Sequence, residues 1–159
     1  MAYTSSALSF ILENLNQTVV VTGAMVHFEE HQNDSVNNLL GALTVAGHYR
    51  IPEVTLFFNN KLFRGNRVRK SDTNDFETFS SPNFPPLANL NIDFEVRWAD
   101  VLSPPPPGVP LSIFTELSNE ISTFRIQPCL NVKMAEVLFL ESKAVIIETY
   151  GMGNIPWKN

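Results

Sequence analysis

A chain of 159 residues is long enough for one ordinary hydrophobic core. Its 44% hydrophobic and 17% charged residues exclude a disordered chain, and a net charge of −5 argues against general binding to nucleic acid or to an acidic membrane. A single cysteine, Cys129, allows no internal disulfide and fits a reducing compartment, and no apolar stretch is long enough to span a bilayer.

The first residues show no basic region ahead of an apolar one, so no leader peptide is expected and the setting is expected to be cytoplasmic. Thr4, Ser5 or Ser6 suits the cap of a first helix, whose apolar stripe is Leu8, Ile11, Leu12 and Leu15. Val19, Val20 and Val21 then predict a short buried strand closing on Thr22 and Gly23. A helix feeding a strand is the repeating half of an α/β fold, and a largely parallel sheet flanked by helices is expected.

His27-Phe28-Glu29-Glu30-His31 sets two histidines four apart with acids between them. The zinc-helix pattern needs Glu directly after the first His, and Phe28 stands there. The stretch follows a strand end, so an exposed loop is expected, with no metal. Asp34 or Ser35 suits the cap of a second helix, with Val36, Leu39, Leu40, Leu43 and Gly47 inward and Asn38 and His48 less buried. Ile51-Pro52-Glu53 ends that helix.

Residues 54–87 form the stretch around which the chain is organised. Residues 54–58, rich in β-branched and aromatic side chains, predict a buried strand. Two Asn, a short apolar piece at Leu62 and Phe63, and the cluster Arg64, Arg67, Arg69 and Lys70 follow, before a Pro-rich loop at 81–86. From charge alone the cluster is a solvated face, a phosphate or nucleic-acid contact, or the setting of a lysine that assists a nucleophile.

Ile92, Phe94 and Val96 alternate with Asp93, Glu95 and Arg97, the pattern of a half-buried strand. Residues 98–117 carry Pro104 to Pro107 and Gly108 and read as an interdomain linker, or as a recognition segment for an aromatic groove. The last part predicts a strand at Phe124 and Ile126, then a helix capped by Asn131 with Met134, Ala135 and Leu138 inward. A buried strand over 144–147 follows. Gly151 and Gly153 give only the first two glycines of a dinucleotide fingerprint.

Several stretches resemble the L-asparaginase family, specifically its cytosolic type I branch: 1–10, 13–15, 38–43, the run Phe57-Phe58-Asn59-Asn60-Lys61-Leu62-Phe63-Arg64-Gly65-Asn66-Arg67, Lys70, and Ser81-Pro82-Asn83 with Pro85-Pro86-Leu87. Tyr150-Gly151-Met152-Gly153-Asn154-Ile155-Pro156 is similar to the family's Tyr-Gly-x-Gly-Asn-x-Pro turn. The resemblance covers nearly the whole chain and is weakest at 24–37 and 98–120. It implies the back part of the family's larger N-terminal domain over 1–98, a Pro-rich linker over 99–118, and the opening of a smaller α/β C-terminal domain over 119–159.

The resemblance implies hydrolysis of L-asparagine to L-aspartate and ammonia, without cofactor or metal, in a homodimer or homotetramer with no nucleic-acid or membrane partner. Lys70 matches the family's catalytic lysine, kept partly deprotonated by burial, and Asn154 matches the Asn that reaches the neighbouring subunit's site. The family's nucleophilic Thr, in a Gly-Gly-Thr turn, and its Gly-Thr-Asp-Thr motif do not occur in these residues. The expectation is therefore a truncated homologue, inactive as this chain alone. The alternatives are an enzyme completed by a missing segment and a non-enzymatic partner of full-length asparaginase-like subunits.

Overall fold

A computed structural model describes residues 1–155. The chain divides into two compact units, Met1–Thr115 and a second that begins at Glu116.

The first unit runs α1 (Ala2–Ile11), β1 (Leu12–Glu13), β2 (Val19–Val21), α2 (Ser35–His48), β3 (Val54–Phe58), β4 (Lys61–Arg64), β5 (Arg69–Lys70), β6 (Phe79–Ser80), β7 (Ala88–Leu90), β8 (Phe94–Val96), a 3-10 turn at Trp98–Asp100, and β9 (Ser112–Ile113). Its main sheet has five strands in the order β2-β3-β4-β7-β8. β2 and β3 are parallel, and the other three pairings are antiparallel. The α/β class agrees with expectation, while strand direction in this sheet is mixed rather than largely parallel. The cause is the Asn59-Asn60 pair. Both residues take positive φ, 46° and 59°. That geometry suits a two-residue hairpin turn, so β4 folds straight back on β3.

All of β3 is buried. Strand alternation sends Phe57 and Leu62 to one face, with Ala42 and Val45 of α2. It sends Leu56, Phe58 and Phe63 to the other, with Val68, Phe79, Ala2 and Met25.

Helix α1 ends at Ile11, because Leu12 is already extended (φ −99°, ψ 96°). The predicted stripe therefore loses Leu12 and Leu15 to non-helical backbone. Capping also differs: Met1 holds the N-cap position, and Ser5 lies buried inside the helix. Its hydroxyl bonds the Ala2 and Gly65 carbonyls at 3.1 and 3.0 Å. Gly65 permits that approach, since a Cβ there would stand 2.9 Å from the Ser5 carbonyl oxygen.

Helix α2 corrects a second expectation. Its buried side is Asn38, Gly41, Ala42 and Val45. Val36, Leu39, Leu40 and Leu43 are exposed, Leu43 by 59%. A Cβ on Gly41 would meet the Phe57 ring at 2.2 Å, so the small face of the helix is what allows close approach to the sheet.

The second unit runs β10 (Ile121–Arg125), α3 (Val132–Glu141) and β11 (Ala144–Glu148), with β10 and β11 parallel. Asn131 caps α3 as expected, accepting from the Lys133 N–H at 3.1 Å. Of the predicted inward residues Ala135 is buried, Leu138 partly so, and Met134 is exposed. β11 forms but is not a buried run, since Ile146 and Ile147 are exposed. One helix cannot cover both faces of a two-stranded sheet. No helix of the described residues is long and apolar enough to cross a membrane.

Candidate active site at the carboxyl ends of the central strands

In open α/β sheets, ligands bind beyond the carboxyl ends of the strands. Here those ends are Val21 and Phe58, and a polar network joins the loops that leave them. The Thr22 hydroxyl donates to the Phe57 carbonyl at 2.8 Å. Asn38, 2% exposed, donates to the Gly23 carbonyl at 3.0 Å and accepts from the Asn59 N–H at 2.9 Å. Its amide also reaches the Asp34 carboxylate at 2.9 Å. Asp34 in turn takes the Met25 and Val26 N–H groups at 3.0 and 3.1 Å. It occupies the N-cap position of α2, yet its side chain caps the loop instead of the helix. Ala24 is thereby left exposed between two anchored neighbours.

The Lys70 strand stands at the same end. Lys70 pairs with Phe79 in the two-stranded β5–β6 ribbon. The Phe79 ring lies 5.0 Å from that of Phe58, at the last residue of β3. Ala2, at the start of α1, and Met25, in the loop after β2, pack on the same cluster. The turn between β5 and β6 is braced by Thr78, fully buried, whose carbonyl accepts from the Ser71 N–H at 2.8 Å. Lys61 pairs with Glu77 of that turn at 2.6 Å.

Lys70 itself is exposed, and among the described residues no carboxylate lies within ion-pair reach of it. The burial expected for this lysine is thus not supplied by these residues. In the two-residue strands of the ribbon Phe79 is buried while its partner Lys70 is exposed.

The four cations have different surroundings, with Lys70 and Arg69 exposed on the ribbon. Arg64 is mostly buried against Glu53. Arg67 faces the Phe84 ring at 5.6 Å. Arg69 pairs with Ser80 along the ribbon, one residue before Lys70. The solvated-face reading therefore describes Arg69 and fails for Arg64.

His27 and His31 are exposed, in a loop held by Asn33, whose amide bonds the Phe28 and Glu30 carbonyls. Among the described residues no group of three His, Cys, Asp or Glu side chains is placed to hold a metal. His48 lies exposed in the last turn of α2, 3.2 Å from the Thr44 carbonyl oxygen. Asn154 belongs to the second unit, where its carbonyl accepts from the Tyr150 N–H at 3.1 Å and Gly153 takes φ 87°. Pro156 of the same turn lies outside the described residues.

Residues 1–102 match the family model for the asparaginase N-terminal domain. The chain belongs to the asparaginase family. It is 41% identical to L-asparaginase 1 of Escherichia coli over 98% of its own length and 46% of that protein. It is also 41% identical to the 60 kDa lysophospholipase of Mus musculus, over 99% of its own length and 28% of that protein. The crystal structure of L-asparaginase I from Vibrio cholerae superposes with a TM-score of 0.88 at 41% identity, covering 99% of this chain and 48% of that one. The chain therefore spans about half the length, or less, of these relatives.

The Asp34–Asn38 network and the Glu53–Arg64 pair lie outside the sequence-based expectations. The available signal was spacing: Asp34 and Asn38 are four apart, neighbours on one helix face. Glu53 directly precedes a fully buried strand, where a charge needs a partner.

Proposed function

We propose that this chain carries the lysine side of an asparaginase-type amidohydrolase site, with L-asparagine as substrate, and that the 159 residues alone have no turnover. The observation that carries the proposal is the family match over 1–102 together with Lys70 lying on a ribbon packed against the carboxyl end of β3.

In this family the attacking group is a Thr hydroxyl, activated by a base network, with donors holding the oxyanion. Lys70 is the member of that network these residues supply. Its exposed amine needs a further wall to enclose it, and a segment carrying Gly-Gly-Thr and Gly-Thr-Asp-Thr supplies both wall and nucleophile. Asn154 is the second contribution, reaching the site of a neighbouring subunit in a homo-oligomer. No cofactor or metal takes part.

The test is complementation. This chain is mixed with a polypeptide carrying the nucleophile segment of a type I relative, and ammonia release from L-asparagine is followed. Release by the mixture that disappears with Lys70→Ala supports the proposal. A folded, stable complex without activity, or activity indifferent to Lys70→Ala, contradicts it.

A second reading is favoured by the exposed Leu39, Leu40 and Leu43 face of α2. There the chain is a non-enzymatic partner of full-length asparaginase-like subunits. Co-purification with such a subunit, lost on Leu43→Lys, separates this reading from the first.

A further inference from the structure

Residues 97–114 do not simply leave the sheet. Val101 packs on the cluster formed with α2. The Leu102 N–H donates to Glu53 Oε1 at 3.0 Å, and the Asp100 carbonyl accepts from Arg64 Nη2. Farther on, β9 pairs with β1, Leu12 opposite Ile113 and Glu13 opposite Ser112. The Phe114 N–H then donates to the Ile11 carbonyl at 2.9 Å. Between these two anchors run Pro104 to Pro107, which have no N–H to give to any ladder. Beside them lies a cavity of about 250 Å³, bordered by Ser9, Asn14, Glu53, Arg64, Leu102 and Pro105.

The nearer anchor is a buried ion pair. The Glu53 and Arg64 side chains are 4% and 14% exposed. Glu53 Oε2 takes the Arg64 Nε–H, and Oε1 takes both Nη2, at 3.2 Å, and the Leu102 N–H. The Arg64 guanidinium also lies 4.5 Å from the Phe84 ring centre. Buried pairs contribute little net stability, because desolvation offsets the attraction, and replacing both partners by apolar groups is often neutral. What an apolar replacement cannot reproduce is the pair of bonds to the Asp100 and Leu102 backbone.

We propose that the Glu53–Arg64 pair is a latch holding a proline-rich strap, residues 100–114, beside this cavity, and that the strap opens as a unit separate from the sheet. The latch sets access to the cavity, and replacing both of its partners together leaves the sheet's stability nearly unchanged. The idea does not rest on the asparaginase reading.

Native-state hydrogen exchange of the full chain, read at single amides in low denaturant, tests it. Leu102 and Phe114 report the strap. Leu87 and Gly65, bonded to the Leu62 and Val54 carbonyls at 2.7 and 2.8 Å, report the sheet. The expected result is one shared strap opening with a shallow denaturant dependence, and slower, steeper exchange at Leu87 and Gly65. In a Glu53→Leu/Arg64→Met double variant, Leu102 exchange should rise at least about tenfold while Leu87 stays within about threefold. Strap and sheet amides exchanging together in the unmodified chain, a Leu102 amide without protection, or a double variant that leaves Leu102 unchanged would each overturn the proposal. If the double variant does not fold, the arm on the unmodified chain decides alone.

Discussion

The Asn38 side-chain oxygen accepts the Asn59 N–H at 2.9 Å, tying helix α2 to the turn after β3. The same side chain holds the Gly23 carbonyl after β2. One buried amide therefore fixes the carboxyl-end loops of both parallel strands. Asn38→Leu is close in volume but leaves the Asn59 N–H and the Gly23 carbonyl without this partner. Each unsatisfied buried group costs about 1–3 kcal/mol, so a loss of about 2–6 kcal/mol is expected in urea unfolding. A loss below about 1 kcal/mol would mean that water replaces these bonds.

Two glycines of α2 test which face is buried. Gly41→Ala drives a methyl into the Phe57 ring, a contact of 2.2 Å, and should cost about 1–3 kcal/mol or more. Gly47 has nothing within 4 Å of an added Cβ, so Gly47→Ala should gain about 0.5–1 kcal/mol. Thermal melting of the pair decides. Equal and small effects would restore the leucine face as the inward one.

The leucine face should govern association instead of folding. Leu39→Gln and Leu43→Gln remove exposed apolar surface, and each should shift stability by no more than about 0.5 kcal/mol. Sedimentation velocity should show the unmodified chain self-associating and the double substitution shifted toward monomer. A monodisperse monomer in both cases would contradict the assignment.

Arg64 and Lys70 should separate cleanly. Arg64→Ala leaves the Glu53 carboxylate buried without its partner and should destabilise by about 3–5 kcal/mol. Lys70 is exposed, so Lys70→Ala should leave the melting midpoint within about 2 °C. A large stability loss at Lys70 would assign it a structural role.

Much of the element order was legible in the sequence. Val19–Val21, Val54–Phe58 and the Asn131 cap fall where pattern and capping chemistry put them. Strand direction was not, because the Asn59-Asn60 hairpin is a matter of backbone sign, which residue class suggests only weakly. The buried face of α2 departs from the pattern because apolar periodicity favours the leucines, whereas close packing on Phe57 favours glycine and alanine. Lys70 is singled out by family resemblance and not by charge, which does not distinguish it from Arg69. The Glu53–Arg64 pair was hidden because its partners lie eleven residues apart and meet only across the β3–β4 hairpin.

We propose that these 159 residues contribute part of an amide-hydrolysing site without the nucleophilic Thr. Loss of a nucleophile in a comparable hydrolase lowers turnover by on the order of 10⁶. Tyr3, Thr4 and Ser5 do not replace it: they lie in the first turns of α1, and the Ser5 hydroxyl is already committed to the Ala2 and Gly65 carbonyls. The direct measurement is ammonia release from L-asparagine by the purified chain beside its Lys70→Ala variant. Both are expected to match the buffer blank. Steady turnover by the unmodified chain, lost in Lys70→Ala, would contradict the proposal.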